Sequence, residues 1–178
     1  MAALLGDVLL VLLADRGGTT HEIQRRHATT FGDAESVDIS RISWTLTRQE
    51  RLGLVRSAAS PTHARQRRFE LTDAGARRQR MWLLRVPPDA TPDDISTRAL
   101  LAIEAVDRST FDMVISVCLT HLELTRLRTA PTTPDAPISA ETARAELTDA
   151  TLAAEVAWLQ SLQSHPRERD RRSAAASG

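Results

Sequence analysis

The chain has 178 residues, 42% hydrophobic and 3% aromatic, and its 23 basic and 23 acidic residues cancel. That length suits one domain or two small ones around a packed core. A single cysteine excludes an internal disulfide framework and points to a reducing compartment. The apolar run Val8 to Ala14 is too short to span a bilayer, and Asp7 precedes it where a signal peptide is basic, so a cytoplasmic protein without membrane contact is expected.

The zero net charge hides an asymmetry. Lysine is absent, so every basic side chain is arginine, whose planar fork suits phosphates and guanine edges. Residues 1–86 hold 14 arginines against 9 acids, and residues 87–165 hold 5 against 12. Between 41 and 80 there are 10 arginines and 3 acids. A basic block beside an acidic one is the footprint of a polyanion-binding half and a half that avoids it.

Residues 2–15 read as a helix that is apolar nearly all round, and so buried on several sides. Gly17-Gly18 ends it. T-T-H-E puts Glu22 three residues after Thr19, a capping box that opens a second helix to about Ala28. Thr29 to Val37 reads as a loop. Asp38 is the expected N-cap of a third helix, with Ile39, Ile42 and Leu46 as its buried stripe. Its opposite face carries Ser40, Arg41, Ser43, Trp44, Thr47, Arg48 and Arg51, the polar, arginine-bearing surface that a major-groove helix needs. Trp44 has two readings, a contact with sugar or a thymine methyl, or a ring folded back onto the core. Gly53 stops this helix. Strands follow at Leu54 to Ser57 and Arg68 to Leu71, where Phe69 and Leu71 alternate with Arg68 and Glu70. The intervening loop, Ala58 to Gln66, fits a wing, and Arg65 and Arg67 are expected to reach the minor groove or its phosphates. Thr72 caps a fourth helix to about Leu84, and Val86-Pro87-Pro88 closes the DNA-binding domain expected over 1–86.

The second half reads as helical. Thr91-Pro92-Asp93-Asp94 is a helix start with proline at the first position, and this helix reaches about Val106. Ser109-x-x-Asp112 is expected to begin the next, with Phe111, Val114, Ile115, Cys118, Leu119 and Leu122 as its apolar stripe. A Pro/Thr linker over 130–137 precedes a long helix from Ser139 to about Gln163. Its stripe of Leu152, Val156 and Leu159, with Leu147, Ala154 and Trp158 beside it, is wide enough to want a second subunit. Residues 87–165 are therefore expected to form a helical dimerisation and effector domain, and 166–178 a disordered tail. Met113, Leu122 and Trp158 are the candidate lining of an effector cavity.

Nothing points to catalysis. Cys118 stands one helical turn before His121 with no third group, which reads as a core cysteine rather than a nucleophile. The five histidines show no zinc spacing, and Asp93-Asp94 reads as first-turn capping. No enzyme activity, metal or cofactor is expected.

Four segments carry a family resemblance: L-L-G-D-V-L-L-V-L-L-A, G-G-T-T-H-E-I, I-S-W-T-L-T-R-Q-E-R-L-G-L-V and R-R-F-E-L-T-D-A-G. On these the N-terminal 85 residues resemble the PadR family of bacterial transcriptional regulators, and residues 92–163 look like the longer C-terminal domain of its larger members. The resemblance implies a mainly α fold with a small β-wing: an N-terminal winged helix-turn-helix plus a C-terminal helical dimerisation domain. It implies a homodimer on an inverted repeat of double-stranded DNA, a repressor released by a small aromatic or drug-like effector. Thr20 and His21 join the expected DNA contacts through it. A leucine common in the family falls on Gln49, and Leu52 is expected to supply that apolar contact. Two other readings stay open: a winged-helix protein–protein module without DNA, and a MarR-like regulator whose dimer uses both chain ends.

Overall fold

The protein is described by a computed structural model, covering residues 5–59, 67–129 and 139–167. In chain order these form α1 (Leu5–Ala14), β1 (Gly18–Thr19), α2 (Thr20–Phe31), a 3-10 turn (Asp33–Glu35), α3 (Ile39–Arg51), β2 (Val55–Ala59), β3 (Arg67–Leu71), α4 (Asp73–Leu84), α5 (Pro92–Ala105), α6 (Arg108–Thr129) and α7 (Ala140–Ser164). The fold is mainly helical with a small antiparallel sheet: a winged helix-turn-helix followed by three helices.

Everything is built on α1. Val8 to Leu13 are all buried, because α2, α3, α4, β3 and α5 surround this helix. Its one buried charge, Asp7, is held by Arg78 of α4 through bonds of 2.8 and 3.1 Å. On α3, Ile42 and Leu46 are fully buried, each worth roughly 2 kcal/mol of transfer free energy. That stripe fixes which face of α3 meets solvent.

The sheet order is β1-β3-β2, with Phe69 of β3 opposite both Gly18 and Ser57. Strand β1 is absent from the elements read in the sequence. Two residues carry no periodicity, and arginines from elsewhere hold it: Arg68 donates to the Gly17 carbonyl at 2.7 Å. Arg26 donates to the carbonyls of Leu12, Arg16 and Gly17 at 3.0, 2.7 and 3.1 Å.

Two helix ends and one strand end differ from expectation. Helix α2 runs through Thr29 and Thr30 to Phe31, because their hydroxyls bond back to the carbonyls of Arg25 and Arg26 instead of competing with the helix. Gly32, with φ 88°, then ends it. Helix α6 starts from Asp107, not Ser109: Asp107 accepts the Thr110 backbone N–H at 2.9 Å and its hydroxyl at 2.8 Å. Strand β2 extends to Ala59, where a loop is expected from Ala58, and Arg65 lies outside the described residues. The other caps match the sequence: Thr19 with Glu22, Asp38, Thr72, Thr91 with Asp94, and Ser139.

Gly75 locks α4 to the sheet. A Cβ there would overlap the Leu54 carbonyl, which also accepts the Thr72 backbone N–H at 3.1 Å. The helical half shares the same apolar core, which runs from Val8 to Leu159. Helix α5 leans on α1 and α2, and its buried Arg98 stacks 4.4 Å from the Trp82 ring and donates to the carbonyls of Trp82 and Asp94. Helices α6 and α7 pair, bridged by Arg126 and Asp149 at 2.9 Å. The expected tail begins at 166, yet Arg167 is buried: it donates to the carbonyls of Ala102 and Val106 at 3.2 and 2.9 Å and stacks on Phe111. Residues 168–178 lie outside the described residues.

Candidate nucleic-acid interface

Helix α3 is set by its ends as much as by its stripe. Asp38 accepts the Ser40 backbone N–H at 2.7 Å and the Ser40 hydroxyl at 2.5 Å. Those bonds, the hydroxyl's first, hold the Asp38 carboxyl below its ordinary range. Gly53, at φ 71°, ends the helix and turns the chain into β2. With Ile42, Thr45, Leu46 and Gln49 turned inward, Ser40, Arg41, Ser43, Trp44, Arg48 and Arg51 face solvent and Thr47 is half-buried.

Trp44 is 65% exposed, so its ring is not folded onto the core; Arg48 lies 5.9 Å from its centroid. Gln49 and Leu52 reverse the expected roles. Leu52 is 61% exposed and supplies no core contact, while Gln49 is buried at the apolar position with its Oε1 unpartnered. A polar side chain in a core slot is costly unless it is bonded, which is why sequence spacing points away from it.

The exposed residues fall on two flanks. On one, Thr20 and His21 at the start of α2, Ser40 and Ser43 at the start of α3, and Arg67 of β3 line a common cleft of about 330 Å³. On the other, Arg41, Trp44 and Arg48 line a larger concavity of about 640 Å³ against α1, with Arg78 at its edge. Thr47 turns its hydroxyl onto the Ser43 carbonyl. Among the described residues Arg41 and Arg48 have no acidic partner. Arg67 differs: its guanidinium meets Glu50 at 2.6 Å and Ser57 at 2.6 and 3.1 Å, over the Phe69 ring. Sequence reasoning missed Glu50 and Ser57, and no local signal marks them, because the three partners come from three elements.

Of the expected effector residues, one lines a described cavity. Leu122 lines a cavity of about 360 Å³ with Ala90, Pro92, His121, Leu147 and Leu152. Met113 is 36% exposed, and Trp158 packs half-buried against the core. A further cavity of about 530 Å³ lies where α2 and α3 meet α5, lined by His27, Phe31, Glu35, Arg41 and Asp93 among others. His27 Nδ1 is buried without a partner, and burial lowers its pKa. Cys118 is fully buried and burial pushes its thiol up to about 12, which leaves it no nucleophilic role near neutrality. Among the described residues no cluster of His, Cys, Asp and Glu could hold a metal, and no helix is long and apolar enough to cross a membrane.

No family model matches the chain, and no curated protein matches it. Among solved structures it is similar to Bacillus subtilis PadR in complex with operator DNA, at 20% identity over 90% of this chain and 96% of that one, with a TM-score of 0.42. The same protein in complex with p-coumaric acid gives 18% identity over 90% and 96%, at 0.41. A PadR-like transcriptional regulator from Bacillus cereus gives 18% over 89% and 95%, at 0.37.

Proposed function

We propose that this protein is a DNA-binding transcriptional regulator, a homodimeric repressor of an inverted-repeat operator whose release is triggered by a small effector. The observation that carries the reading is the outward face of α3. Three arginines with no acidic partner among the described residues, Arg41, Arg48 and Arg51, and an exposed indole stand there beside serine and threonine hydroxyls, on a helix whose other side is locked into the core. Such a surface matches the donors, acceptors and methyl groups of a major-groove edge and has little value in water.

In this reading α3 enters the major groove, with Arg41 and Arg48 reading bases or phosphates. Thr20 and His21 lie against the backbone, and the wing with Arg65 and Arg67 lies along the neighbouring minor groove. The acidic helical half carries the dimer and holds two copies of α3 about one duplex turn, roughly 34 Å, apart. An effector in the helical half changes that spacing and leaves only weak, charge-driven binding.

The test is a selection of duplexes from random DNA, followed by anisotropy titration of the selected duplex and sedimentation of the free protein. The expected result is a dimer at micromolar concentration that prefers a symmetric site. A protein that ignores every duplex at low salt, yet is folded, overturns the reading in favour of a protein–protein module.

A further inference from the structure

Glu50 is the one acid in α3, and it lies on the side of the helix that faces the wing. Both its carboxylate oxygens are engaged. Oε1 accepts the Ser57 hydroxyl at 2.6 Å and Oε2 accepts Arg67 Nη2 at 2.6 Å. Arg67 in turn donates through Nε and Nη2 to the same Ser57 oxygen, at 3.1 and 2.6 Å, with its guanidinium 5.2 Å from the Phe69 centroid. The result is a closed ring of three side chains from α3, β2 and β3, resting on an aromatic floor. It places a guanidinium at the cleft shared by Thr20, His21, Ser40 and Ser43.

We infer that Glu50 is a positioning and specificity residue for duplex binding: it holds the Arg67 guanidinium in one orientation beside the α3 cleft and cancels its charge towards any duplex that does not fit there. This rests on the DNA-binding reading above. An ionised acid at a phosphate-facing surface opposes polyanion binding on its own, so Glu50 acts through its partner. The bonds from Ser57 first, and then from Arg67, keep its carboxyl below the ordinary range, so it is charged at neutral pH. The wing root then offers an arbitrary phosphate no net cation. A duplex that fits the cleft meets a guanidinium already oriented, with little side-chain entropy left to lose.

The test measures binding of the selected duplex and of an unrelated duplex across a salt series. Glu50→Gln keeps the size and an acceptor for Ser57 but removes the charge that holds Arg67. It should raise affinity for the unrelated duplex about fivefold near 0.1 M salt, with a smaller gain on the selected one. The log–log salt slope should steepen by roughly 0.9, the equivalent of one more phosphate contact. In an Arg67→Ala background the same change should leave the slope unaltered, because no cation is freed there, and Glu50→Asp should keep the wild-type slope. An unaltered slope in Glu50→Gln overturns the inference while wild-type binding stands. An equal steepening in the Arg67→Ala background also overturns it, since the change in slope would then not come from Arg67. Wild-type protein that binds neither duplex overturns both this inference and the DNA-binding reading.

Discussion

Two groups of arginines share the N-terminal half, and they have different work. Arg26, Arg56, Arg67, Arg68 and Arg78 are tied, to acids or to backbone carbonyls. Arg41, Arg48, Arg51, Arg77 and Arg80 have no acidic partner among the described residues. The first group assembles the wing and its junction with α1. The second carries positive charge with no counter-charge among the described residues. Ten arginines between 41 and 80 therefore overstate the cations on offer to a polyanion, and a net charge summed along a sequence is not the charge of a surface.

The division breaks most clearly at Arg26. Its three carbonyl acceptors lose their donor in Arg26→Ala, so unfolding free energy should drop by about 3 kcal/mol in a denaturant titration. Arg41→Ala should do the reverse. Affinity for the selected duplex should fall by roughly 1–3 kcal/mol in anisotropy, with the melting temperature unchanged. If Arg41→Ala melts earlier instead, Arg41 belongs with the tied group.

Acid sharpens the contrast. Glu22 is held below its usual range chiefly by the Thr19 backbone bond, which outweighs the opposing effect of burial, with Arg68, the Thr19 hydroxyl and Arg26 adding to it; Glu50 is held down by Ser57 and Arg67. A depressed folded pKa means the unfolded chain binds protons first. The stability these carboxylates add is present above the ordinary value of 4.5 and is lost as pH falls through their folded pKa values. Denaturation measured below that point should show a steeper loss in wild type than in Glu22→Gln/Glu50→Gln. The Arg56–Glu70 pair, largely in water, should matter least: Arg56→Ala should change stability by under about 0.5 kcal/mol. Cys118 should stay unreactive to a thiol reagent in the native protein and react only on unfolding.

What was legible in the sequence follows the range of the interactions. The run through α1, the Ile42–Leu46 spacing and the caps at Thr19, Asp38, Thr72 and Thr91 are each written within a few residues, and each is found. The polar face of α3 was legible for the same reason. Strand β1 was not, because its pairing is made by Arg68, some fifty residues on. Nor was the Glu50–Ser57–Arg67 ring, whose members are brought together only when the sheet docks on α3. Gln49 shows the limit of pattern: spacing makes its site apolar, and only packing shows an amide there.

The fate of Arg167 has a practical side. Its guanidinium plugs the open end of α5, taking the Ala102 and Val106 carbonyls that a helix terminus leaves bare. Trimming the protein to 165 residues and trimming it to 167 are thus unequal operations. The shorter version uncorks a helix, while the longer one retains the rivet that fastens the end of α7 to its neighbours.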